Sequence, residues 1–430
     1  MIWANSKYVN PGDTFLASDD NYKYIDLELL KKTSKIIFTG DKNKYIYDHF
    51  YNKIKDLTLI GITGTNGKTT TCYLIYQMLN MMNVKTAYIG TNGFYVGNEV
   101  TSLENTTPSM DILYNLLNRA HDLGCKVVVM EVSSHALKQD RVYGLLYDIV
   151  AVTNITEDHL DYHKSIDDYI KSKRLLVNKL RNKKICILNK YDKHYKKFIK
   201  DGNVNYIIGE DIKILKSIPG IDSVSLTFED EKIYDVILPL VGKFNIYNYL
   251  MAYKIVKSLG YDGNKIIKIT PNLKEPLGRM QKVNYNKNVI FTDYAHTPDA
   301  VLNVLKTVNE IKNDGIITII GCGGNREKEK RPVMANIACK NSSYVIFTND
   351  NPRFEDEKDI IKDMLKGASG KYEIIYDRYD AIKKGISMLK ENMILMILGK
   401  GHEDYQIIGD KKIHFSDIET VDEILLDIEQ

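Results

Sequence analysis

The stretch LTLIGITGTNGKTTT, residues 57–71, decides how the surrounding sequence folds. Its apolar run predicts a buried strand, its glycine-rich turn predicts a loop, and the residues from Lys68 onward predict the start of a helix. Backbone N–H groups of residues 64–67 can surround anionic oxygens, and Lys68 adds a point charge. The hydroxyl of Thr69 is placed to ligate the Mg²⁺ that accompanies phosphates. We therefore predict a nucleotide-phosphate site; the alternative is a glycine-rich β-turn that opens an ordinary helix.

The glycine spacing of this loop departs from the usual P-loop pattern. That pattern places a glycine five positions before Gly67, where this chain has Ile62. Gly61 and Gly64 are predicted to frame the loop instead. The loop by itself therefore indicates a nucleotide site and not a particular enzyme.

Length and composition limit the class of protein. A chain of 430 residues can form two or three domains, and its 44% hydrophobic and 27% charged residues are ordinary for a globular protein. A formal net charge of +3 argues against a generally basic nucleic-acid-binding protein. We see no signal-peptide pattern and no apolar run of membrane-spanning length, and five scattered cysteines fit buried thiols in a reducing compartment. We therefore expect a cytoplasmic monomer that acts on small molecules, without nucleic-acid or membrane partners.

Three segments with different patterns divide the chain. Residues 1–56 are polar and rich in tyrosine and lysine, and residues 57–272 alternate helices with β-branched apolar runs that predict parallel strands buried on both faces. Within the second segment, SVSLTFEDEKIYDVILPLVG alternates and predicts antiparallel strands. Residues 273–430 resume the alternation after a candidate hinge, ITPNLKEPLGRM. We predict an α/β protein of three domains: a truncated N-terminal α/β domain, a central P-loop ATPase domain with a mainly parallel sheet, and a C-terminal Rossmann-like domain.

Polar residues at predicted strand ends mark candidate ligand sites, because doubly wound sheets bind ligands beyond the carboxyl ends of their strands. Glu131 closes KVVVME, and a carboxylate beside a phosphate loop is a natural Mg²⁺ ligand. His159 follows DIVAVTNITED, where it could ligate a second ion or orient a phosphate, with a structural histidine as the alternative. Lys173 lies on a predicted helix, and a lone helical lysine is usually a surface residue.

The C-terminal segment carries four clusters of charged and polar residues at predicted strand ends. They lie in FTDYAHTPDA, GCGGNREKEKRP, FTNDNPRFED and LGKGHEDYQ, and the second includes Arg326 and Arg331. A charged surface could explain one cluster. Four of them at consecutive strand ends indicate a pocket for a charged, zwitterionic molecule.

Ten motifs in this order resemble the Mur ligase family: GTNGKTT, NTTPS, EVSSHALKQDR, TNITEDHLDYH, GKFNIYN, LGRM, DYAHTPDA, GCGGNREKEKRP, DNPR and GKGHEDYQ. The resemblance runs from about residue 57 to the C-terminus, and it favours the members that add the third residue of the peptidoglycan stem peptide. It implies a UDP-substrate domain (1–56), an ATP-binding domain (57–272) and an amino-acid-binding domain (273–430). The implied reaction uses ATP to convert a substrate carboxylate into an acyl phosphate, which an amine attacks to give an amide, ADP and phosphate.

The resemblance also implies roles for individual residues. Lys68 and Mg²⁺ would neutralise charge on the transferred phosphoryl group. Lys173, in YIKSKRLL, matches the carbamylated lysine of the family, which would help to hold a second Mg²⁺, and this implied role replaces the surface interpretation. The implied catalytic residues are Lys68, Glu131, His159 and Lys173, and the implied metal ligands are Thr69, Glu131, His159 and Lys173. The implied ATP-binding residues are Gly64, Thr65, Asn66, Gly67, Lys68, Thr69, Thr70, Asn245, Asn248, Arg279 and Asp293.

Two further residue sets are implied for the other substrates. The residues for a UDP-N-acetylmuramoyl-dipeptide are Ser6, Asn105, Thr106, Thr107, Ser133, Gln139 and Arg141. The residues for meso-diaminopimelate are Arg326, Asp350, Asn351, Pro352, Arg353, Gly399 and Glu403. DNPR resembles the version found in diaminopimelate-adding members, and the guanidinium of Arg353 can pair bidentately with one carboxylate of that amino acid. Arg326 would help with the other carboxylate, while the acidic residues would bind the ammonium.

The N-terminal segment departs from the family pattern. ANSKYVNPGDTFLA resembles the family segment DSR-x-V-x-x-GD-x-F-x-A, which places Ser6 at a uridine contact and puts Lys7 where the family has arginine. The strand before that segment and most of the glycine-containing loop after it are absent. The acyl acceptor could therefore be the usual UDP precursor or a related molecule without uridine. Two rival functions stay open: another ligase of the superfamily, such as a folylpolyglutamate or cyanophycin synthetase relative, and a regulatory P-loop ATPase that forms no amide.

Overall fold

The computed structural model describes residues 1–311 and 314–429, and the chain folds into two compact units. The first unit comprises Met1–Ile155, Ser165–Ile212 and Tyr249–Ile269, and the second comprises Thr156–Lys164, Lys213–Asn248 and Thr270–Gln430. The predicted boundaries of three domains stay a prediction. Among the described residues, no helix has the length and apolar character needed to cross a bilayer.

The N-terminal segment forms a small parallel sheet with two helices. Its elements are β1 (Ile2–Trp3), β2 (Thr14–Ala17), α1 (Leu27–Lys32), β3 (Lys35–Phe38) and α2 (Lys42–Ile54), with strand order β1-β2-β3. Helix α2 buries Ile46, Phe50 and Ile54, which share one face because they are spaced four residues apart. The backbone carbonyl of Ile2 accepts a hydrogen bond from Asn115 at 2.7 Å, so this sheet is part of the first unit and not a separate appendage.

The predicted mainly parallel sheet of the central segment is confirmed. Its strand order is β11-β10-β9-β4-β8-β5-β6-β7, with antiparallel pairing only where β6 joins β5 and β7. The elements of this region are β4 (Thr58–Thr63), α3 (Lys68–Met81), β5 (Thr86–Gly90), β6 (Gly93–Val96), β7 (Glu99–Thr101), α4 (Met110–Asp122), β8 (Val127–Glu131), α5 (Ser134–Lys138), β9 (Tyr147–Val152), α6 (Leu160–His163), α7 (Ile166–Asn178), β10 (Leu180–Asn189) and β11 (Val204–Ile208). The apolar strands are buried on both faces because helices cover the sheet.

Strand β4 lies between β8 and β9. The loop after β4 is therefore flanked by the ends of both neighbours, and this brings Glu131 close to the phosphate loop. The prediction that Gly61 frames the loop is wrong. Gly61 is an interior residue of β4, paired with Met130 and Val150 and packed against the Tyr147 ring, so the loop begins at Gly64.

The alternating stretch at residues 223–242 forms antiparallel strands, as predicted. A third strand precedes them, which the sequence analysis missed. The elements from here to the second large sheet are β12 (Lys213–Pro219), β13 (Val224–Glu229), β14 (Ile233–Leu238), α8 (Lys243–Ser258) and α9 (Gly263–Ile269). Helix α8 ends at Ser258, and Gly260 follows shortly after it with a positive φ of +95°.

The C-terminal segment forms a second doubly wound sheet, in the order β15-β16-β20-β17-β18-β19. Its elements are β15 (Gln281–Tyr285), β16 (Asn288–Asp293), α10 (Pro298–Asn309), β17 (Gly315–Ile320), α11 (Lys330–Asn341), β18 (Tyr344–Phe347), α12 (Glu357–Leu365), β19 (Tyr372–Ile374), α13 (Arg378–Ser387), β20 (Met393–Leu398), β21 (Tyr405–Ile408), β22 (Lys411–His414) and α14 (Asp417–Glu429). Alternate residues of β17 enter separate cores on the two faces, with Ile316 and Ile320 on one and Ile317 and Ile319 on the other.

A buried ion pair joins the ends of two strands in this sheet. The Arg378 guanidinium donates to both carboxylate oxygens of Asp417 at 2.7 Å, and neither side chain is exposed. Arg378 also donates to the carbonyls of Asn349 and Leu398, each at 3.1 Å. It therefore holds the chain immediately before Asp350 and the chain at the end of β20, two places where candidate site residues follow.

We expect Arg378→Ala to destabilise the second unit by about 3–5 kcal/mol, because it leaves the Asp417 carboxylate buried without its partner. Urea denaturation followed by circular dichroism would measure the loss, and hydrogen exchange at β18 and β20 would locate it. Lys287→Ala is the matched control, because it breaks an exposed pair with Glu391 in the same unit. Equal denaturation midpoints for the two variants would contradict the anchoring role.

Candidate active site

The phosphate loop after β4 is held open by two glycines and by the chain after β9. Gly64 has φ +148° and Gly67 has φ +82°, conformations that glycine adopts without strain. A Cβ at position 64 would overlap the hydroxyl oxygen of Thr153. Asn154 accepts hydrogen bonds from the N–H groups of Thr65 (2.7 Å) and Asn66 (2.9 Å). These contacts fix the loop against the chain that follows β9.

Two lysines converge on the same carbonyl of this loop. The Lys68 ammonium donates to the carbonyls of Gly64 (2.9 Å) and Thr65 (2.7 Å), and the Lys173 ammonium donates to that of Gly64 at 2.7 Å. Lys173 is only 1% exposed and lies 4.5 Å from the centre of the Tyr169 ring. The interpretation of Lys173 as a solvated surface residue is therefore wrong.

Glu131 faces the first turn of α3. Its Oε2 atom accepts a hydrogen bond from the Thr69 hydroxyl at 3.0 Å, and both side chains are buried. A hydroxyl and a carboxylate oxygen at this spacing are hard ligands that suit Mg²⁺, which completes its shell with phosphate oxygens and water. No group of three histidine, cysteine or acidic residues in the described part of the chain could hold a metal ion, so such a site would depend on this pair and on the substrate's oxygens.

His159 belongs to the second unit, whereas Thr69, Glu131 and Lys173 belong to the first. Its side chain is 45% exposed, its backbone is left-handed (φ +55°), and its ring lies 3.3 Å from Asp158. Its predicted place in the metal-ligand set stays a prediction.

Most of the predicted UDP-substrate residues form one hydrogen-bonded network beside Glu131. The hydroxyl of Thr107 donates to the Glu131 carbonyl (2.8 Å) and accepts from the Ser133 N–H (3.0 Å). The Arg141 guanidinium donates to the Thr107 carbonyl at 2.8 Å and to the amide oxygen of Gln139 at 2.6 and 2.9 Å. The segments before α4, before α5 and after α5 thus join in one network next to the end of β8.

Ser6 and Asn105 lie on surface segments that meet. Ser6 begins a 3₁₀ turn, Ser6–Tyr8. In that turn Lys7 pairs with Glu104 at 2.7 Å, and the Tyr8 hydroxyl donates to the same carboxylate at 3.1 Å. The structure therefore brings Ser6 next to the loop that carries Asn105 and Thr106, although no contact between their side chains is seen among the described residues.

The sequence analysis missed a cleft in the N-terminal segment. It has a volume of about 460 Å³ and is lined by Ser18, Asp19, Tyr22, Phe38, Thr39 and Gly40. Phe38 is 71% exposed and Tyr22 59% exposed at its rim. Ser18, Asp19 and Tyr22 follow β2, while Phe38 ends β3 and Thr39 and Gly40 follow it, so the strand-end rule that found Glu131 also applies to them.

The predicted ATP-side residues of the second unit are mostly buried. Asn248 donates to the side chain of Asn245 at 2.9 Å, and Asn245 donates to the Val241 carbonyl at 2.8 Å. Asp293 accepts from the N–H groups of Met280 (2.7 Å) and Ala295 (2.8 Å). Burial raises the pKa of Asp293, against the opposing charge of Arg279.

Arg279 lies over an aromatic group at the end of β16. Its guanidinium is 4.8 Å from the centre of the Tyr294 ring, which also contacts the rings of His296 (4.6 Å) and His402 (5.0 Å). Burial and then Lys330 lower the pKa of His296 to about 4, and burial and then Arg279 lower the pKa of His402 to about 4. Both imidazoles are therefore neutral near pH 7 and do not compete with Arg279 for an anion.

The residues predicted to bind the amino acid include a group of neighbouring polar side chains in the second unit, which we call the polar pocket. Asn351 donates to Glu403 at 2.8 Å, and Asp350 accepts from the Asn351 N–H at 2.6 Å. Gly399 lies so close to Asp350 that a Cβ at position 399 would be 2.6 Å from the Asp350 Oδ2 atom. The Arg353 guanidinium donates to the Gly324 carbonyl at 2.9 Å. The two carboxylates and this guanidinium therefore lie in one polar group.

The charged groups of this pocket shift one another's pKa values. Burial and the neighbouring Asp350 raise the pKa of Glu403, against Lys400. Burial and then Glu403 raise the pKa of Tyr405 to about 12. Burial and the nearby exposed Arg326 lower the pKa of Arg353. A ligand carboxylate would offset the repulsion between Arg353 and Arg326, and a ligand ammonium group would offset that between Asp350 and Glu403.

Arg331 does not belong to the pocket, contrary to its grouping with Arg326 in the sequence analysis. It is fully buried and pairs with Glu355 at 3.0 Å and Asp363 at 3.1 Å. Its role is therefore to hold α11 against the loop before α12. The carbonyl of Pro352 accepts from the Glu355 N–H at 3.1 Å, which continues this support to the DNPR turn.

A hairpin that the sequence analysis did not predict secures the DNPR turn. Strands β21 and β22 pair antiparallel, and backbone hydrogen bonds join Arg353 to Ile407 (3.0 Å) and Gly409 (2.7 Å). The Gln406 side chain donates to the Asp350 carbonyl at 2.7 Å. This support holds Arg353 in a left-handed conformation, φ +54°.

Comparisons with known proteins agree with this geometry. The sequence model of the Mur ligase middle domain matches residues 62–256, and that of the "Mur ligase, glutamate ligase domain" matches residues 278–401. The UDP-N-acetylmuramoyl-L-alanyl-D-glutamate–2,6-diaminopimelate ligase of Bacillus cereus is 40% identical over 393 residues, which cover 88% of this chain and 80% of that protein. This chain belongs to the Mur ligase family.

Solved structures of Mur ligases have the same fold. A 2,6-diaminopimelate ligase structure superposes with a TM-score of 0.67 at 28% identity, covering 100% of this chain and 95% of the other. The MurF ligase of Thermotoga maritima in complex with ADP superposes with a TM-score of 0.71 at 15% identity, covering 100% and 98%. The predicted α/β class and the predicted family are thereby confirmed.

We expect Gly64→Ala to weaken ADP binding on the order of 100-fold, about 3 kcal/mol, because a Cβ there displaces Thr153 and strains the loop. Isothermal titration with ADP would measure the effect. Gly97→Ala is the control, because Gly97 also has a positive φ (+58°) but a Cβ there meets open space. ADP binding that is equal in the two variants would show that the loop geometry does not matter.

Proposed function

We propose that this Mur ligase is an ATP-dependent ligase that joins meso-diaminopimelate to UDP-N-acetylmuramoyl-L-alanyl-D-glutamate, a step of peptidoglycan precursor synthesis. The observation that carries the proposal is the convergence of Lys68, Thr69, Glu131 and Lys173 on one phosphate loop. It occurs in a chain 40% identical to a ligase named for this reaction. ADP bound to a MurF ligase of the same fold supports the use of ATP.

The phosphate loop would bind and activate ATP. Backbone N–H groups of the loop and the Lys68 ammonium would hold the phosphate oxygens and stabilise charge on the transferred group. Thr69, Glu131 and, after carbamylation, Lys173 would hold Mg²⁺. The bound Mg²⁺ would neutralise phosphate charge as a Lewis acid. Carbamylation would replace the Lys173 cation, which as an ammonium repels a metal ion, with an anion.

The network beside Glu131 would hold the acceptor carboxylate. Thr107 bonds to the Glu131 carbonyl, and Ser133 and Arg141 bond to Thr107. A carboxylate bound there would face the transferred phosphoryl group, and the resulting acyl phosphate would be the electrophile. The cleft between Tyr22 and Phe38 would accept the uridine, because exposed aromatic rings suit a planar base.

The polar pocket of the second unit would select the incoming amino acid. Arg353 and Arg326 would pair with its carboxylates, while Asp350 and Glu403 would bind and orient an ammonium. Diaminopimelate carries one more carboxylate than lysine, and the pocket offers two guanidinium groups. Attack of the amine on the acyl phosphate would form the amide and release phosphate.

A coupled assay of ADP release tests this function. We expect turnover only when ATP, the UDP-sugar dipeptide and meso-diaminopimelate are all present, with lysine and ornithine poor replacements. Turnover indifferent to both co-substrates would favour a regulatory ATPase. Turnover with a folate or another acyl acceptor, and none with the UDP-sugar dipeptide, would favour a different ligase of the superfamily.

We expect Arg353→Lys to raise the KM for diaminopimelate roughly 10- to 100-fold, because a lysine cannot form the bidentate pair. The KM for ATP should stay within about twofold of the wild-type value. Steady-state ADP release would measure both constants. Arg119→Lys, at an exposed ion pair with Glu99, is the matched control. An unchanged KM for diaminopimelate in Arg353→Lys would show that Arg353 does not bind this amino acid.

A further inference from the structure

The carboxylate of Glu131 is held by donors that the sequence motifs do not include. Its Oε1 atom accepts from the Tyr88 hydroxyl at 2.7 Å and from the Thr91 N–H at 2.9 Å. Its Oε2 atom accepts from the Thr91 hydroxyl at 3.1 Å and from the Thr69 hydroxyl at 3.0 Å. Tyr88 and Thr91 therefore supply three of these four bonds, and each carboxylate oxygen receives two.

Tyr88 is fully buried within the central sheet. It lies in β5, which pairs in parallel with β8, the strand that ends at Glu131. Its ring packs among Tyr73, Tyr76 and Tyr95 at centroid distances of 6.2, 6.4 and 5.4 Å. The packed ring therefore presents its hydroxyl to Glu131 from within the sheet.

Gly90 makes room for this contact. A Cβ at position 90 would overlap both the Tyr88 hydroxyl and the Glu131 Oε1 atom. The chain can therefore bring Tyr88 and Glu131 together only because the last residue of β5 has no side chain.

We propose that Tyr88, together with Thr91, is a positioning residue that fixes the Glu131 carboxylate so that Oε2 faces Thr69 for Mg²⁺ binding. This inference rests on the proposed function. The hydroxyl of Tyr88 holds Oε1, and the carboxylate cannot then rotate its Oε2 edge away from α3. The aromatic packing fixes the Tyr88 ring, so the hydrogen bond acts from a rigid support.

The test measures metal binding directly. Mn²⁺ would replace Mg²⁺, and electron paramagnetic resonance would report its Kd in the presence of β,γ-methylene-ATP. We expect Tyr88→Phe to raise that Kd at least fivefold and to raise the Mg²⁺ concentration needed for half-maximal activity. The KM for diaminopimelate should not change, because that amino acid binds elsewhere.

Tyr95→Phe is the matched control. It removes a hydroxyl from the same aromatic group, and no contact of that hydroxyl with Glu131 is seen in the described structure. We expect its Kd for Mn²⁺ to stay within twofold of the wild-type value. Equal Mn²⁺ affinity in folded Tyr88→Phe and wild type would overturn the proposal, as would an equal loss in both tyrosine variants.

Thr91→Val decides the question if Tyr88→Phe does not fold, as judged by circular dichroism. It removes the hydroxyl bond to Oε2 but keeps the N–H bond to Oε1, so the Kd for Mn²⁺ should rise at least threefold. An unchanged Kd would overturn the proposal. These outcomes do not depend on which amino acid the enzyme uses, so a failed ADP-release assay and a failed positioning role remain distinguishable.

Discussion

The convergence of two ammonium groups on the Gly64 carbonyl is the interaction on which the candidate active site depends. Lys68 reaches this oxygen from the start of α3, and Lys173 reaches it from α7. This shared carbonyl fixes both lysine side chains beside the loop that would receive the phosphates. Lys173 is buried there beside the Tyr169 ring, so carbamylation would remove a positive charge that water screens poorly.

The position of β4 at the centre of its sheet explains why these groups meet. Its two neighbours, β8 and β9, end beside the same loop and supply Glu131 on one side and Asn154 on the other. The second sheet uses the same principle at the ends of β16, β17, β18 and β20. There Arg378 ties two of those ends together from within the core, so the polar pocket is built on a buried ion pair.

Both candidate sites are held by contacts between segments that are distant in the chain. Tyr88 and Thr91 bind the carboxylate of Glu131, and Gln406 binds the carbonyl of Asp350. None of these contacts follows from local sequence pattern, because each joins residues more than thirty positions apart. They orient side chains that the motifs only identify.

The sequence by itself determined the α/β class, the parallel central strands and the phosphate loop, and it marked Glu131, Arg353 and their neighbours as candidate site residues. Hydrophobic runs and strand-end polar residues are local signals, and they carry that information directly. Only the tertiary structure decided that Gly61 is a strand residue, that Lys173 is buried against the loop, and that Arg331 is structural. The burial of a side chain and its ion pairs depend on which strands become neighbours in the sheet. Long-range packing sets the order of the strands, and no local pattern encodes it.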